Sequence, residues 1–311
     1  MLIWRDVTEV APDLGPTGVV IGNFDGVHRG HRAVIDRARA VTSTLGHPLV
    51  AVTFDPHPMA VLRPEHAPSV LTTIEARAEL LAEAGVDHVL ALPFSREIAA
   101  WSPTEFVDRV LVRTLHAAAV VVGANFRFGA RAAGDVAQLR EAGESRGFLV
   151  EGIALDGGPQ VWSSTYVRTC LGEGDVAGAA EALGRPFAVR GRVVEGDRRG
   201  RELGYPTANV PLAAGLAAPA DGVYAGWLTR LDTRDRFPAA ISVGTNPTFA
   251  GDRDRRVEAY ALDRDDLELY GVEVEVAFAD RLRGMVRFDG IEPLLEQMAD
   301  DVRRTRAVVG A

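Results

Sequence analysis

Apolar and polar positions alternate in two different rhythms along this chain. In the first half, short, largely apolar runs at 19–21, 49–54, 88–92 and 117–122 read as strands. Between them, 74–83 and 103–111 repeat apolar residues every three or four positions, the period of a helix. Strands that are apolar throughout must be covered on both faces, so the alternation predicts a parallel sheet with helices on either side, a Rossmann-like α/β layer. Ligands of such sheets bind at the carboxyl ends of the strands.

The rhythm changes after Leu183-Gly184-Arg185-Pro186. Segments 188–194, 222–231, 239–243, 257–262 and 272–277 are short and strand-like, with turn-rich loops between them. One helical pattern follows over 291–302, with apolar residues at 291, 294, 295, 298 and 302. These features predict a small antiparallel β-barrel with a C-terminal helix. The boundary is expected near 184–187, giving domains 1–186 and 187–311. No internal repeat or low-complexity segment interrupts either half.

Composition narrows the chemistry. The 311 residues are 47% hydrophobic and 25% charged, a globular profile long enough for two cores. The longest apolar runs, such as 117–124, fall short of a membrane span. The first residues, MLIWRDVTEV, lack the basic and apolar regions of a signal peptide. The single cysteine, Cys170, rules out an intramolecular disulfide and fits a reducing cytoplasm, where it reads as a small buried helix residue. A net charge of −9 argues against a nucleic-acid partner. The expectation is a cytoplasmic protein with no membrane or nucleic-acid partner, monomeric or weakly self-associating. All 34 basic residues are arginine. Without lysine there is no Gly-Lys-Ser/Thr phosphate loop, no kinase strand lysine and no Schiff base. Phosphate must be held by arginine, histidine, backbone N–H groups or a metal ion.

One strand-to-helix junction stands out: IGNFDGVHRGH, residues 21–31. Gly22, Gly26 and Gly30 let the backbone turn tightly and approach a ligand. The helix that follows offers free N–H groups and a positive dipole end. His28 and His31 stand at its start, placed to donate hydrogen bonds to phosphate oxygens. Three readings are open: a metal pair, for which no further Cys/His cluster completes a ligand set; a structural turn, which leaves two histidines unexplained; and phosphate binding, the reading favoured here.

GNFDGVHRGH resembles the His-x-Gly-His signature of the nucleotidyltransferase superfamily, in the form found in prokaryotic bifunctional riboflavin kinase/FAD synthetases. The resemblance continues through TFDPHP (53–58), GANFRFG (123–129) and SSTYVR (163–168). It extends into the second half through GDRRGRELGYPTANV (196–210), DGVYAGW (221–227), SVGTNPTF (242–249) and VEAYALD (257–263). The family's order of motifs is kept over nearly the whole chain. The resemblance implies an N-terminal domain that moves AMP from ATP onto FMN, and a C-terminal domain that phosphorylates riboflavin, both with ATP and Mg²⁺.

For adenylyl transfer, the resemblance implies that Gly22, Phe24, Gly26, His28, Gly30 and His31 meet the ATP phosphates. Ser164, Thr165 and Arg168 are the second phosphate segment, although hydroxyls there also suit a helix cap. His57, Asn125, Phe126, Arg127 and Phe128 are implied on the FMN side, with Asn125 also near the cation. His57 lies between two prolines, where a structural role is equally open, and core packing is the ordinary reading for one of the two phenylalanines. Where the family often carries an arginine before Ser-Ser-Thr, this chain has Val161-Trp162, with Arg127 or Arg131 as substitutes. FMN's phosphate is mostly dianionic at neutral pH, its second pKa being about 6, so this step needs alignment rather than a base.

Riboflavin's hydroxyl, by contrast, must lose a proton, and the resemblance points to Glu258 as base. Without it, a solvent-facing strand glutamate is the ordinary reading. Thr207 and Asn209 are two apart in an extended stretch after Pro206, so their oxygens share a face and suit Mg²⁺. Two turn residues serving the local backbone are the structural alternative. Gly191, Gly196, Gly200 and Gly204 with Arg201 form a glycine-rich flap for ATP phosphates. Arg283 and Phe288 fall in the family's flavin-side loop. Two other functions remain: a kinase whose first domain is impaired, and a flavin-binding regulatory module without turnover.

Overall fold

The computed structural model describes residues 1–154, 162–196, 203–244 and 255–310. Its chain divides into two compact units, Met1–Ser163 and Ser164–Ala311.

The first unit is built on six parallel strands: β1 (Leu2–Trp4), β2 (Thr17–Ile21), β3 (Leu49–Asp55), β4 (His88–Pro93), β5 (Ala117–Gly123) and β6 (Leu149–Ile153). Their order is β1-β4-β3-β2-β5-β6. The expected parallel sheet is therefore present, and the chain reverses its direction of travel between β2 and β5. Alternate residues of the apolar strands face two separate cores. Val19, Ile21, Val50, Val52, Val120 and Val122 pack with Val110, Leu111 and Leu139 on one side. Val20, Leu49, Ala51 and Val121 pack with Ile35, Ala38, Ala78 and Leu81 on the other. Helices α1 (Arg29–Leu45) and α3 (Ile74–Glu83) supply the second set, with the short α2 (Pro58–Leu62) preceding α3.

Three elements depart from the sequence reading. The edge strands β1 and β6 are too short or too mixed to show as apolar runs, and each is paired on one side only. The helix expected at 103–111 begins as α5 (Pro103–Phe106), following the short α4 (Arg96–Ala99), and continues as a π-helix over Val107–Thr114. Its wider turns are closed by Leu115 N–H donating to the Val110 carbonyl at 3.0 Å. The amphipathic α6 (Val136–Arg146), capped by Asp135, completes the layer.

The second unit opens with α7 (Ser164–Glu173) and α8 (Val176–Leu183). Cys170 is buried on α7, as expected. Six strands follow: β7 (Phe187–Arg192), β8 (Ala208–Pro211), β9 (Gly222–Arg230), β10 (Arg236–Gly244), β11 (Arg256–Ala261) and β12 (Glu273–Arg283), in the order β7-β12-β9-β10-β11-β8. Every pairing is antiparallel. The open edges, β7 and β8, are drawn together by the bridge Val194↔Asn209, so the sheet is a nearly closed barrel. Tyr224 and Phe278 fill its interior edge to face, with ring centroids 5.5 Å apart. Helix α9 (Ile291–Val309) runs further than the periodicity indicated, and Val309 packs on the outward Val223, Ala225 and Leu282.

Candidate functional sites

The first site forms where β2 runs into α1, at the carboxyl edge of the sheet and beside its reversal point, where α/β ligands bind. The turn is strained. Phe24 (φ 48°), Gly26 (φ 81°) and Val27 (φ 43°) all lie in the left-handed region, which is an outlier for a β-branched residue. Only Gly26 among the three glycines supplies that conformation. Gly22 leaves room for the Phe24 ring, 3.3 Å from where a Cβ would stand, and Gly30 lets the His28 ring and the Trp162 carbonyl approach to 3.1 Å.

His28 is the N-cap of α1, its Nδ1 accepting from the His31 backbone N–H at 3.3 Å. A neutral His28 therefore carries its proton on Nε2, which becomes its donor. The His28 and His31 rings stack with centroids 3.6 Å apart, and Phe24 meets His31 edge-on at 5.2 Å. Burial, then His28, then the positive charge of Arg77, push the His31 pKa well below 6.5, so the ring is uncharged at neutral pH. Among the described residues its enclosed Nδ1 has no hydrogen-bond partner, a cost that a purely structural histidine would avoid.

Adjacent strand ends contribute the neighbouring groups. Asn23 and His57, which follow β2 and β3, touch through Nδ2 and Nε2 at 3.3 Å. His57 also caps α2 by accepting from the Met59 N–H at 3.2 Å, so a structural role is realised as well. After β5, Asn125 is exposed on a turn, and Arg127 is exposed and paired with Asp135 at 3.6 Å. Phe128 is buried in the core, while Phe126 is half-buried and stacks on it at 5.5 Å. The core role weighed for one of the phenylalanines thus falls to Phe128. Ser164, Thr165 and Arg168 occupy the first turns of α7 and belong to the second compact unit. Val161 lies outside the described residues.

In the second unit, β11 lies between β8 and β10, with Glu258 directly opposite Asn209 on one side and Ser242 on the other. These three share a face, because cross-strand partners point the same way. The alternate rows, Val210–Val257–Val243 and Ala208–Ala259–Ile241, fill the barrel interior. Glu258 is half-buried rather than fully solvated, and Asn209 is buried. The backbone after β7 closes over Asn209: a Cβ on Gly196 would lie 2.4 Å from its Nδ2. Thr207 lies just before β8, and its carbonyl receives the Asn209 amide at 3.5 Å. Gly191 faces Val210, Gly204 adopts φ 85°, and Pro206 leads into β8. Gly200 and Arg201 lie outside the described residues.

A family model for FAD synthetase matches residues 11–164, and one for riboflavin kinase matches residues 183–309. The bifunctional riboflavin kinase/FMN adenylyltransferase of Escherichia coli K12 is 38% identical over 294 residues, spanning 94% of this chain and 92% of that protein. This chain belongs to that family. Its relative of the same description in Pseudomonas fluorescens is 38% identical over 312 residues, covering 99% of this chain and 98% of the other. A crystal structure described as a macrolide-efflux protein from Streptococcus pneumoniae superposes with a TM-score of 0.86 at 30% identity, covering 98% of both chains. Among the described residues, no helix is long and apolar enough to cross a membrane.

Two residues beside the first site, Asn23 and Arg77, escaped the sequence reading. Asn23 follows from the strand order, which brings the ends of β2 and β3 together. Arg77 had a legible signal: it is a charge within the apolar stripe Ile74, Ala78 and Leu81, all buried with it. Arg283 also turned out to have local partners. Its guanidinium donates to the buried Asp301 at 2.7 Å and to the Gly284 carbonyl at 3.1 Å, and lies 5.8 Å over Phe288.

The Gly196 contact yields one prediction. Gly196→Ala forces the Asn209 amide to move, and FMN formation should fall by about tenfold, the scale of a lost polar contact, while FAD formation from FMN and ATP stays unchanged. Parallel assays of ADP and pyrophosphate release test it.

Proposed function

We propose that the two activities of this family reside at these two sites. The first, within 1–186, transfers AMP from ATP to FMN; the second, within 187–311, phosphorylates riboflavin. The adenylyl assignment rests chiefly on the stacked histidine pair at the start of α1. An FMN phosphate oxygen attacks the α-phosphorus of ATP, and the bond to pyrophosphate breaks. His28 donates from Nε2, and the neutral His31 ring adds a second polar edge beside the helix N-terminus. Such preorganised donors stabilise charge as it develops on the leaving group. Gly22, Phe24, Gly26 and Gly30 shape the turn around the phosphates; Ser164, Thr165 and Arg168 are a further phosphate segment. His57, Asn125, Phe126 and Arg127 face FMN, with Phe128 supporting Phe126 from beneath.

The kinase assignment rests on the register of Glu258 opposite Asn209. Glu258 removes the proton from the ribityl hydroxyl as its oxygen attacks the γ-phosphorus and ADP leaves. Gly191, Gly196, Gly200, Arg201, Gly204 and Pro206 bracket the nucleotide, and Arg283 with Phe288 borders the flavin. Mg²⁺ fits this donor set, because Thr207 and Asn209 offer hard oxygens two residues apart. When bound, the ion offsets phosphate charge. Asn125 is the corresponding candidate in the first site. The protein acts on small molecules in the cytoplasm as a monomer or weak homo-oligomer.

Chromatography of the products from riboflavin, ATP and Mg²⁺ tests this reading. FAD with transient FMN is expected; FMN alone would restrict the protein to kinase activity, and neither product would favour a binding module.

A further inference from the structure

The strained turn before α1 has to be held by something, because residues in unfavourable backbone regions persist only where their surroundings fix them. The anchors come from a segment some fifty residues away. Asp25, 1% exposed, accepts from the backbone N–H groups of Leu71 at 2.9 Å and Thr72 at 3.1 Å, and from the Thr72 hydroxyl at 3.3 Å. The Gly26 N–H donates to that same hydroxyl oxygen at 3.2 Å. Thr53 donates to the Asn23 carbonyl at 2.9 Å. Arg77, 5% exposed, ties these contacts together: it donates to Thr53 Oγ1 at 3.2 Å and to the Thr72 carbonyl at 3.2 Å, and its Nη2 lies 3.5 Å from Asp25. Every turn residue from Asn23 to Gly26, except Phe24, is thereby fastened to β3 or to the residues just before α3.

We propose that Arg77, paired with Asp25 beneath the turn, is a positioning residue for adenylyl transfer, fixing the turn that carries His28 and His31. It does so without touching either reactant. Buried ion pairs of this kind add little net stability, but they specify one arrangement when both partners are satisfied. Here the arrangement is the placement of two stacked rings at a helix start. A guanidinium suits the task because its planar fork reaches Thr53, Thr72 and Asp25 at once, which an ammonium does not. Its positive charge also opposes protonation of the His31 ring.

This inference rests on the adenylyltransferase reading of the first site. The test compares wild type with Arg77→Met, Arg77→Lys and Asp25→Asn/Arg77→Met. It measures kcat and KM for pyrophosphate release from FMN and ATP, ADP release from riboflavin, and the melting curve. Misplacement of reacting groups by about 1 Å costs roughly 100-fold. Arg77→Met should therefore lower kcat for pyrophosphate release by about 10- to 100-fold with KM for ATP within about twofold. ADP release should be unchanged, and Arg77→Lys should recover only part of the loss. If Arg77→Met alone unfolds the first unit, the double variant, which removes both charges, should fold and keep the kcat defect. Wild-type kcat in a folded Arg77→Met or in the folded double variant would overturn the inference. So would a loss that appears only in the melting curve. Absence of pyrophosphate release from the wild type itself would instead overturn the adenylyltransferase reading.

Discussion

Glu258→Gln is expected to abolish FMN formation from riboflavin and ATP while FAD still forms from supplied FMN. Glutamine keeps the shape of the side chain and its place opposite Asn209, so β11 and the barrel are undisturbed. What it removes is basicity. A ribityl hydroxyl is a weak nucleophile until its proton is taken, and a positioned base contributes about 10²- to 10⁴-fold. FMN formation should fall by that factor, with KM for ATP little affected, as expected of a base proposed to serve the hydroxyl rather than the triphosphate. Adenylyl transfer involves no such deprotonation, since FMN's phosphate is already anionic. Normal riboflavin phosphorylation by the variant would remove Glu258 from the mechanism.

His31→Ala produces the opposite pattern. The ring stacks on His28 at 3.6 Å and abuts Phe24, so its loss removes one member of the proposed phosphate site and the packing partner of the other. Losing one preorganised donor of this type costs about 10²- to 10³-fold in kcat. Pyrophosphate release from FMN and ATP should fall by at least that amount, whereas ADP release from riboflavin should persist. Loss of both activities in a protein that melts as a folded chain would contradict separate sites.

Much of this arrangement was legible in the sequence, because chemistry and fold leave different marks. Apolar runs such as Val19–Ile21 located the central strands, since a strand buried on both faces has no alternation to hide it. The junction histidines were visible because two imidazoles three apart sit at the start of a helix. The edge strands were not visible, being covered on fewer sides and so less constrained in composition. The roles of the glycines were only partly legible: all three read as turning tightly and approaching a ligand, whereas Gly26 alone takes a left-handed conformation and Gly22 and Gly30 make room for neighbouring groups of this chain. The alignment of Glu258 with Asn209 could not be read at all, because β8 and β11 are joined only by tertiary register. Arg77 left a mark, a charge within the apolar stripe of α3, but what it holds could not be read from it. Its partners at 25, 53 and 72 converge in space and share no period.

Two independent active sites make one further demand: variants broken at different sites must repair one another. Glu258→Gln alone should yield no FMN from riboflavin, and His31→Ala alone should stop at FMN. Mixing the two purified variants with riboflavin, ATP and Mg²⁺ should restore FAD, as FMN released by one chain is adenylylated by the other. A mixture that accumulates FMN but never FAD, although Glu258→Gln converts supplied FMN normally, would contradict the account.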